Sequence, residues 1–265
     1  MLGLGKTEEM ILRTLTDLKI CRISDFGLLS AAPLSGVRMI RISEFFPEDT
    51  SRGSLLKVQR IVSEIARIKD DFGDIHYIAA ADQAFLDNRI ISAILVLDFG
   101  SLEITERVFS IAPVSYPYIP TFLSFREGPA IVKAFRKLKI RPDLLLIDGA
   151  GINHPRGAGI ATHIGVALDV PTIGITKKIL CGKAAPVSDV GEVSPLVYMD
   201  RTVGWLLKSS IKSKPIIVAP GHRVSLESSL SIVKACLRGH KLPEPARLAH
   251  EYANACKKEL EKQVQ

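Results

Sequence analysis

Apolar residues recur along this chain at two spacings, and the spacing changes element by element. Leu55, Val58, Ile61, Ile65 and Ile68 share one helical face while Lys57, Arg60, Glu64 and Lys69 take the other, which predicts an amphipathic helix over Ser54–Asp71. Three strand-like stretches follow at Ile75–Ala81, Arg89–Leu97 and Leu102–Ile111. Short Gly, Asp and Asn links join them, the pattern of an antiparallel meander. A helix is expected over Thr121–Leu138. Leu144–Ile147 is a wholly apolar run of the kind that forms a strand buried on both faces, and Pro171–Ile175 is a second. Between them, Gly157–Leu168 carries apolar residues at helical spacing. Val197–Lys208 suits a hairpin and Pro215–Ala219 another buried strand. Ser225 is placed to cap a helix to Cys236, and a last helix starts at Pro245.

Three consecutive strands, then helix, strand, helix, strand, imply a mixed sheet with helices on both faces. This α/β order resembles that of ribonuclease H-like nucleases, in which the first and fourth strands carry metal-binding carboxylates. Residues 1–45 read as a separate N-terminal extension or small winged-helix-like module, with helices at Thr7–Leu18 and Ser24–Leu29, a turn at Pro33–Gly36 and a strand at Val37–Ile42. Phe45–Gly53 reads as a linker, leaving residues 46–265 as the main domain.

Composition narrows the class. No apolar run reaches membrane-spanning length. The N-terminus turns acidic where a secretory signal would be apolar, and four cysteines without a Cys-x-x-Cys pair fit a reducing compartment, so a cytoplasmic protein is expected. The formal charge is +7, and it is unevenly spread. Residues 1–50 hold six Lys/Arg against seven Asp/Glu, leaving 29 against 21 for the rest. The main domain is therefore the basic part, which suits a polyanionic partner.

The candidate chemistry lies at strand ends. Asp82 closes the apolar run Ile78–Ala81, and Asp148 closes Leu144–Ile147. With first and fourth strands adjacent, the two carboxylates come side by side, and ligands gather at such strand ends. Glu127 lies in YPYIPTFLSFREG nearby in the chain. Hard oxygen ligands of this kind suit Mg²⁺, which also bridges substrate phosphate. Lys177 follows the next strand and can stabilise charge on a phosphate. His154 and His222 are further candidates for holding phosphate or water. A dinucleotide fingerprint fails, because His154 stands where its third glycine belongs, and no phosphate-binding Gly-x-x-x-x-Gly-Lys loop exists.

Longer motifs carry a family resemblance. Tyr118-Ile119-Pro120 with Leu123-Ser124-Phe125-Arg126-Glu127, then Pro142-Asp143-Leu144 through Asp148-Gly149, Gly151-Ile152 and His154-Pro155-Arg156, resemble endonuclease V. So do Pro171-Thr172-Ile173-Gly174 with Lys177-Lys178, Gly221-His222-Arg223-Val224-Ser225-Leu226, and Leu242-Pro243-Glu244-Pro245 with Arg247-Leu248-Ala249-His250. The resemblance spans about Leu55 to Lys258 and leaves residues 1–45 uncovered.

It implies a ribonuclease H-like fold and a DNA-repair endonuclease that hydrolyses the second phosphodiester bond 3′ to deoxyinosine, leaving 3′-hydroxyl and 5′-phosphate ends. It implies Asp82, Glu127 and Asp148 as ligands of Mg²⁺, with Mn²⁺ as a substitute, and Lys177 as the stabiliser of transition-state charge. Pro117, Tyr118, Ile119 and Pro120 would form a wedge entering the DNA where the damaged base leaves. Gly149 and Gly151 would leave room for that base, and His154 and His222 would be DNA- or lesion-binding residues. A monomer acting on DNA with deaminated bases is expected. Inosine-containing RNA as the substrate, and a non-catalytic lesion-binding protein, are the alternatives left open. Gln83, Thr121, Ala150 and Thr176 depart from the family pattern, Thr121 standing where the wedge loop usually has glycine.

Overall fold

The structure, a computed structural model, describes residues 41–264. Helices α1 (Ile42–Phe45) and α2 (Arg52–Ile65) lead into strands β1 (Tyr77–Leu86), β2 (Arg89–Asp98) and β3 (Ile104–Pro113). Helix α3 (Leu123–Phe135), β4 (Leu144–Asp148), α4 (Ile160–Leu168) and β5 (Thr172–Thr176) follow. The chain ends with β6 (Val193–Tyr198), β7 (Arg201–Leu207), β8 (Ile216–His222), α5 (Leu226–Ala235) and α6 (Glu244–Val264).

Among the described residues, eight strands form one mixed sheet in the order β3-β2-β1-β4-β5-β8-β7-β6. β1, β4 and β5 run parallel, and every other pairing is antiparallel. The parallel trio sits at the centre, buried on both faces, which is why β1 and β4 read as continuous apolar runs. Alternate residues of each strand enter opposite cores. Ile78, Ala80, Leu144 and Leu146 pack with α6 residues Ala249, Tyr252 and Ala253. Ala79, Ala81, Leu145 and Ile147 pack with α1, α2, α3 and α4 on the other side.

The expected meander, crossover helix and hairpin all form. Ser225 caps α5, its side chain accepting from the Ser228 amide. Two expectations need correcting. The supposed linker is anchored at its start: Phe45 and Phe46 are buried, and the Phe46 ring stacks on His163 with centroids 5.0 Å apart. A Cβ on Gly128 would lie 2.5 Å from that Phe46 ring, so the segment packs directly on α3 beside Glu127. Ile42 opens a helix rather than ending a strand, because Ile42 and Phe45 lie one turn apart and bury together. The helices expected at Thr7–Leu18 and Ser24–Leu29, the turn at Pro33–Gly36 and most of the strand at Val37–Ile42 lie outside the described residues.

Candidate active site

Parallel pairing fixes the first two acids. Ala81 of β1 pairs with Ile147 of β4, so the next residues, Asp82 and Asp148, stand side by side. Both share the parity of Ala80 and Leu146, which turns them toward the α6 face. Glu127 arrives from the second turn of α3 and is 8% exposed; Asp82 is 6% exposed. Burial raises the Glu127 carboxyl to about 8, helped by the charges of Asp148 and Asp82. Asp82 is raised for the same reasons, burial first and Asp148 second. The three acids therefore sense one another in a low-dielectric pocket, as crowded carboxylates do.

Nitrogen donors meet two of them. Lys177, just past β5, places Nζ 2.9 Å from Asp148 Oδ2, and its own pKa is raised by Asp148 and Asp82 against the effect of burial. His250 of α6 places Nδ1 2.6 Å from Asp82 Oδ2. Asn254, one turn on, sets its Nδ2 3.2 Å from His250 Nε2, so Nδ1 carries the proton shared with Asp82. His250 is the residue that sequence reasoning passed over. Its only signal was membership of the Arg247–His250 motif, and 168 residues separate it from Asp82.

Among the described residues no three His, Cys, Asp or Glu side chains already close into a metal cage. The donor chemistry nevertheless fits a hard divalent cation. Mg²⁺ takes one or two carboxylates and keeps waters and substrate phosphate for the remainder. Carboxylates that hold protons above their ordinary range are short of positive charge, and Glu127 is the most affected.

Beside the acids opens a cavity of about 380 Å³, lined mostly by apolar groups. Tyr118, Ile119, Pro120 and Thr121 form one wall; Gly149, Ala150 and Gly159 of the β4–α4 turn and Ile160 at the start of α4 form another; Asp148 and Lys177 also line it. Tyr118 is 69% exposed. Pro117 precedes this wall without lining it.

The wall is held by a polar cluster on Thr121. The Ile119–Phe122 turn is closed by the Phe122 amide donating to the Ile119 carbonyl at 3.0 Å. Pro120 and Thr121 occupy its centre, and Thr121 has φ +70°, the pattern of a type II turn. That position favours glycine, and a β-branched residue there is strained. Gln59 Nε2 (2.6 Å), His154 Nε2 (3.0 Å) and an Arg156 Nη2 (3.1 Å) all donate to the Thr121 carbonyl. The same Arg156 nitrogen donates to Thr121 Oγ1 at 2.6 Å. The Arg156 amide donates to His154 Nδ1, leaving the proton on Nε2, and burial depresses the His154 pKa to about 4. His154 is thus a neutral donor that orients the turn.

Two candidates do not join the site. His222 pairs with Thr172, the first residue of β5, whereas Asp148 pairs with Ile175 near its end. That puts His222 at the far end of the sheet, about 10 Å along the strand, where its Nε2 lies 3.2 Å from Asp169 Oδ1 and the Arg67 amide donates to Nδ1. The cause is topological: β8 runs antiparallel to β5, and its end meets the beginning of β5. Gly151 packs closely on β8 and is not part of the cavity lining. A Cβ there would lie 2.2 Å from the Pro220 carbonyl oxygen. Gly149 does line the cavity, and its Cβ would strike Ile160 Cγ2 at 2.1 Å.

Known proteins resemble this chain over most of its length. Residues 58–251 match the family model described as Endonuclease V. The Endonuclease V of Dictyoglomus thermophilum is 42% identical over 199 residues, 75% of this chain and 87% of that relative. The crystal structure of Bacillus subtilis Endonuclease V superposes with a TM-score of 0.78 at 29% identity, covering 84% of this chain and 98% of that one. A Ciona intestinalis Endonuclease V, crystallised with a 23mer DNA containing an inosine followed by a ribo-adenosine, has a TM-score of 0.71 at 22% identity, covering 81% and 100%, and shares the fold. With a family model spanning most of its length and a close relative over three quarters of it, the chain belongs to the endonuclease V family.

Proposed function

We propose that Asp82, Glu127 and Asp148 are the Mg²⁺ ligands of this endonuclease V, a deoxyribonuclease V-type enzyme cleaving 3′ to deoxyinosine, and that the cut falls at the second phosphodiester bond. The observation carrying this reading is the set of three carboxylates, each buried or half-buried, beside Lys177 and the cavity, with Glu127 and Asp82 both holding their protons more tightly through burial and the charge of Asp148. A bound Mg²⁺ would supply Lewis acidity at the scissile phosphate and an acidified water. Lys177, whose Nζ lies 2.9 Å from Asp148 Oδ2, would place positive charge where it stabilises a phosphate in the transition state. His250 holds Asp82 in one orientation.

The cavity suits a flipped base. It is apolar, rimmed by backbone groups at Gly149 and Gly159, and faced by the exposed Tyr118. Tyr118, with Pro117, Ile119 and Pro120, fills the gap left in the stack, since an aromatic ring replaces lost stacking. DNA is the proposed partner.

The test is cleavage of a deoxyinosine duplex, and of the matched RNA strand, with Mg²⁺ and with Mn²⁺. Asp82→Ala and Asp148→Ala are expected to bind the duplex without cutting it. Full cleavage by Asp148→Ala would refute the ligand assignment, and preferential cutting of RNA would move the substrate to inosine in RNA.

A further inference from the structure

We propose that Thr121, anchored by Arg156, is a positioning residue that holds the wedge in its working shape before DNA arrives. The inference rests on the reading of Tyr118–Pro120 as the wedge. Thr121 is the hinge next to those residues. Its φ of +70° is one that a β-branched side chain disfavours. Such a conformation persists only where the surroundings over-determine it. Here they do: three donors from α2 and the β4–α4 turn converge on its carbonyl, and Arg156 holds its hydroxyl.

The other end of the loop is tied as well. Arg126 Nη1 donates to the Tyr116 carbonyl at 2.7 Å, and the Arg126 guanidinium lies 4.9 Å from the centre of the Phe85 ring. The Arg156 guanidinium sits 4.9 Å from the centre of the Phe122 ring and is joined to the buried Gln59 at 2.6 Å. Between two fixed ends stands an exposed Tyr118 with no burial of its own to hold it. Glycine in the turn would adopt the same φ but also many others. Threonine has few alternatives, and its hydroxyl gives the turn an anchor that glycine lacks. The free loop thus has less freedom to lose on binding, which is how preorganisation favours affinity.

This matters only where stacked DNA must be opened. A single strand has no partner strand to displace and needs no wedge. Thr121→Val removes the hydroxyl at nearly constant shape, and Thr121→Ser keeps it. On a deoxyinosine duplex, Thr121→Val should raise KM about tenfold with kcat little changed, the scale of one lost hydrogen bond to a charged donor. On the same strand left single the rise in KM should be smaller by about threefold or more, because no duplex has to be opened. Thr121→Ser should restore the duplex KM to within about twofold. A 2-aminopurine placed 3′ to the lesion reports the opening directly, and its fluorescence rise should be smaller for Thr121→Val.

Equal losses on duplex and single strand, no loss on either, or failure of Thr121→Ser to restore the duplex KM would each overturn the proposal. If Thr121→Val does not fold, as judged by thermal melting, Arg156→Gln removes that contact together with those to Gln59 and the Thr121 carbonyl, and should show the same split between substrates. Parent protein that cuts neither strand would defeat the endonuclease reading itself, whereas an equal defect on both defeats only the role given to Thr121.

Discussion

Glu127→Gln separates the needs of the chemistry from the needs of the fold. In the metal-free protein the Glu127 carboxyl is raised from 4.5 to about 8, by burial first and then by Asp148 and Asp82. Because the folded value exceeds the unfolded one, the folded state holds the proton more tightly. Stability then falls as pH rises through the interval from 4.5 to about 8, and the loss is complete above it. Each pH unit inside that window costs about 1.4 kcal/mol. From pH 5 to pH 7.5, Glu127 alone should remove about 3 kcal/mol. Glutamine has the same shape and cannot ionise, so that part of the slope should vanish. Asp82, also raised, leaves a residual slope common to both proteins. The assay is urea unfolding in chelator at the two pH values. With a denaturant slope of about 2 kcal/mol per molar, the midpoint of the parent should drop about 1.5 M further than that of the variant. Added Mg²⁺ at the higher pH should raise the parent's midpoint more than the variant's, because the cation binds the ionised folded state. The variant should be the more stable metal-free protein and the inactive enzyme. Equal pH slopes in the two proteins would show that Glu127 is not held in this acid cluster, and parental cleavage rates in the variant would remove it from the ligand set.

Two further outcomes follow from single contacts. His250→Ala takes away the donor 2.6 Å from Asp82; metal affinity, read by Mn²⁺ titration, should fall by about ten- to a hundredfold, as for other residues that orient a ligand. The melting temperature should barely move, since the His250 side chain is half exposed, and an unchanged Mn²⁺ affinity would make the contact incidental. Gly151→Ala sets a methyl 2.2 Å from the Pro220 carbonyl oxygen, where only backbone can yield. It should destabilise by about 2–3 kcal/mol, a fall of roughly 6–10 °C in the melting temperature of a chain this long; a melting temperature within a degree of the parent's would mean that the turn relaxes freely.

The chain's own pattern determined more of this protein than its distances suggest. Period-two and helical spacing are local properties, so the meander, the β4–α4–β5 crossover and the cap at Ser225 could be read directly. Asp82 and Asp148 were legible as partners because parallel pairing of two apolar runs leaves little choice of register. Tertiary structure alone decided the rest. His250 reaches Asp82 only because α6 returns across the sheet, and nothing within 168 residues of sequence marks that return. His222 stood among the candidates, and only the antiparallel sense of β8 sets it beside the first residue of β5, away from Asp148. Gly151 and Gly174 read as loop and strand glycines; their reason is that backbone from Pro220 and from Gly149 passes within 2.2 and 2.4 Å of where a Cβ would stand. Thr121 read as a departure from a glycine position, and the donors from Gln59, His154 and Arg156 that hold it there come from two distant segments. Spacing along a chain encodes which face a side chain takes; which distant segment meets that face is set by how the layers pack.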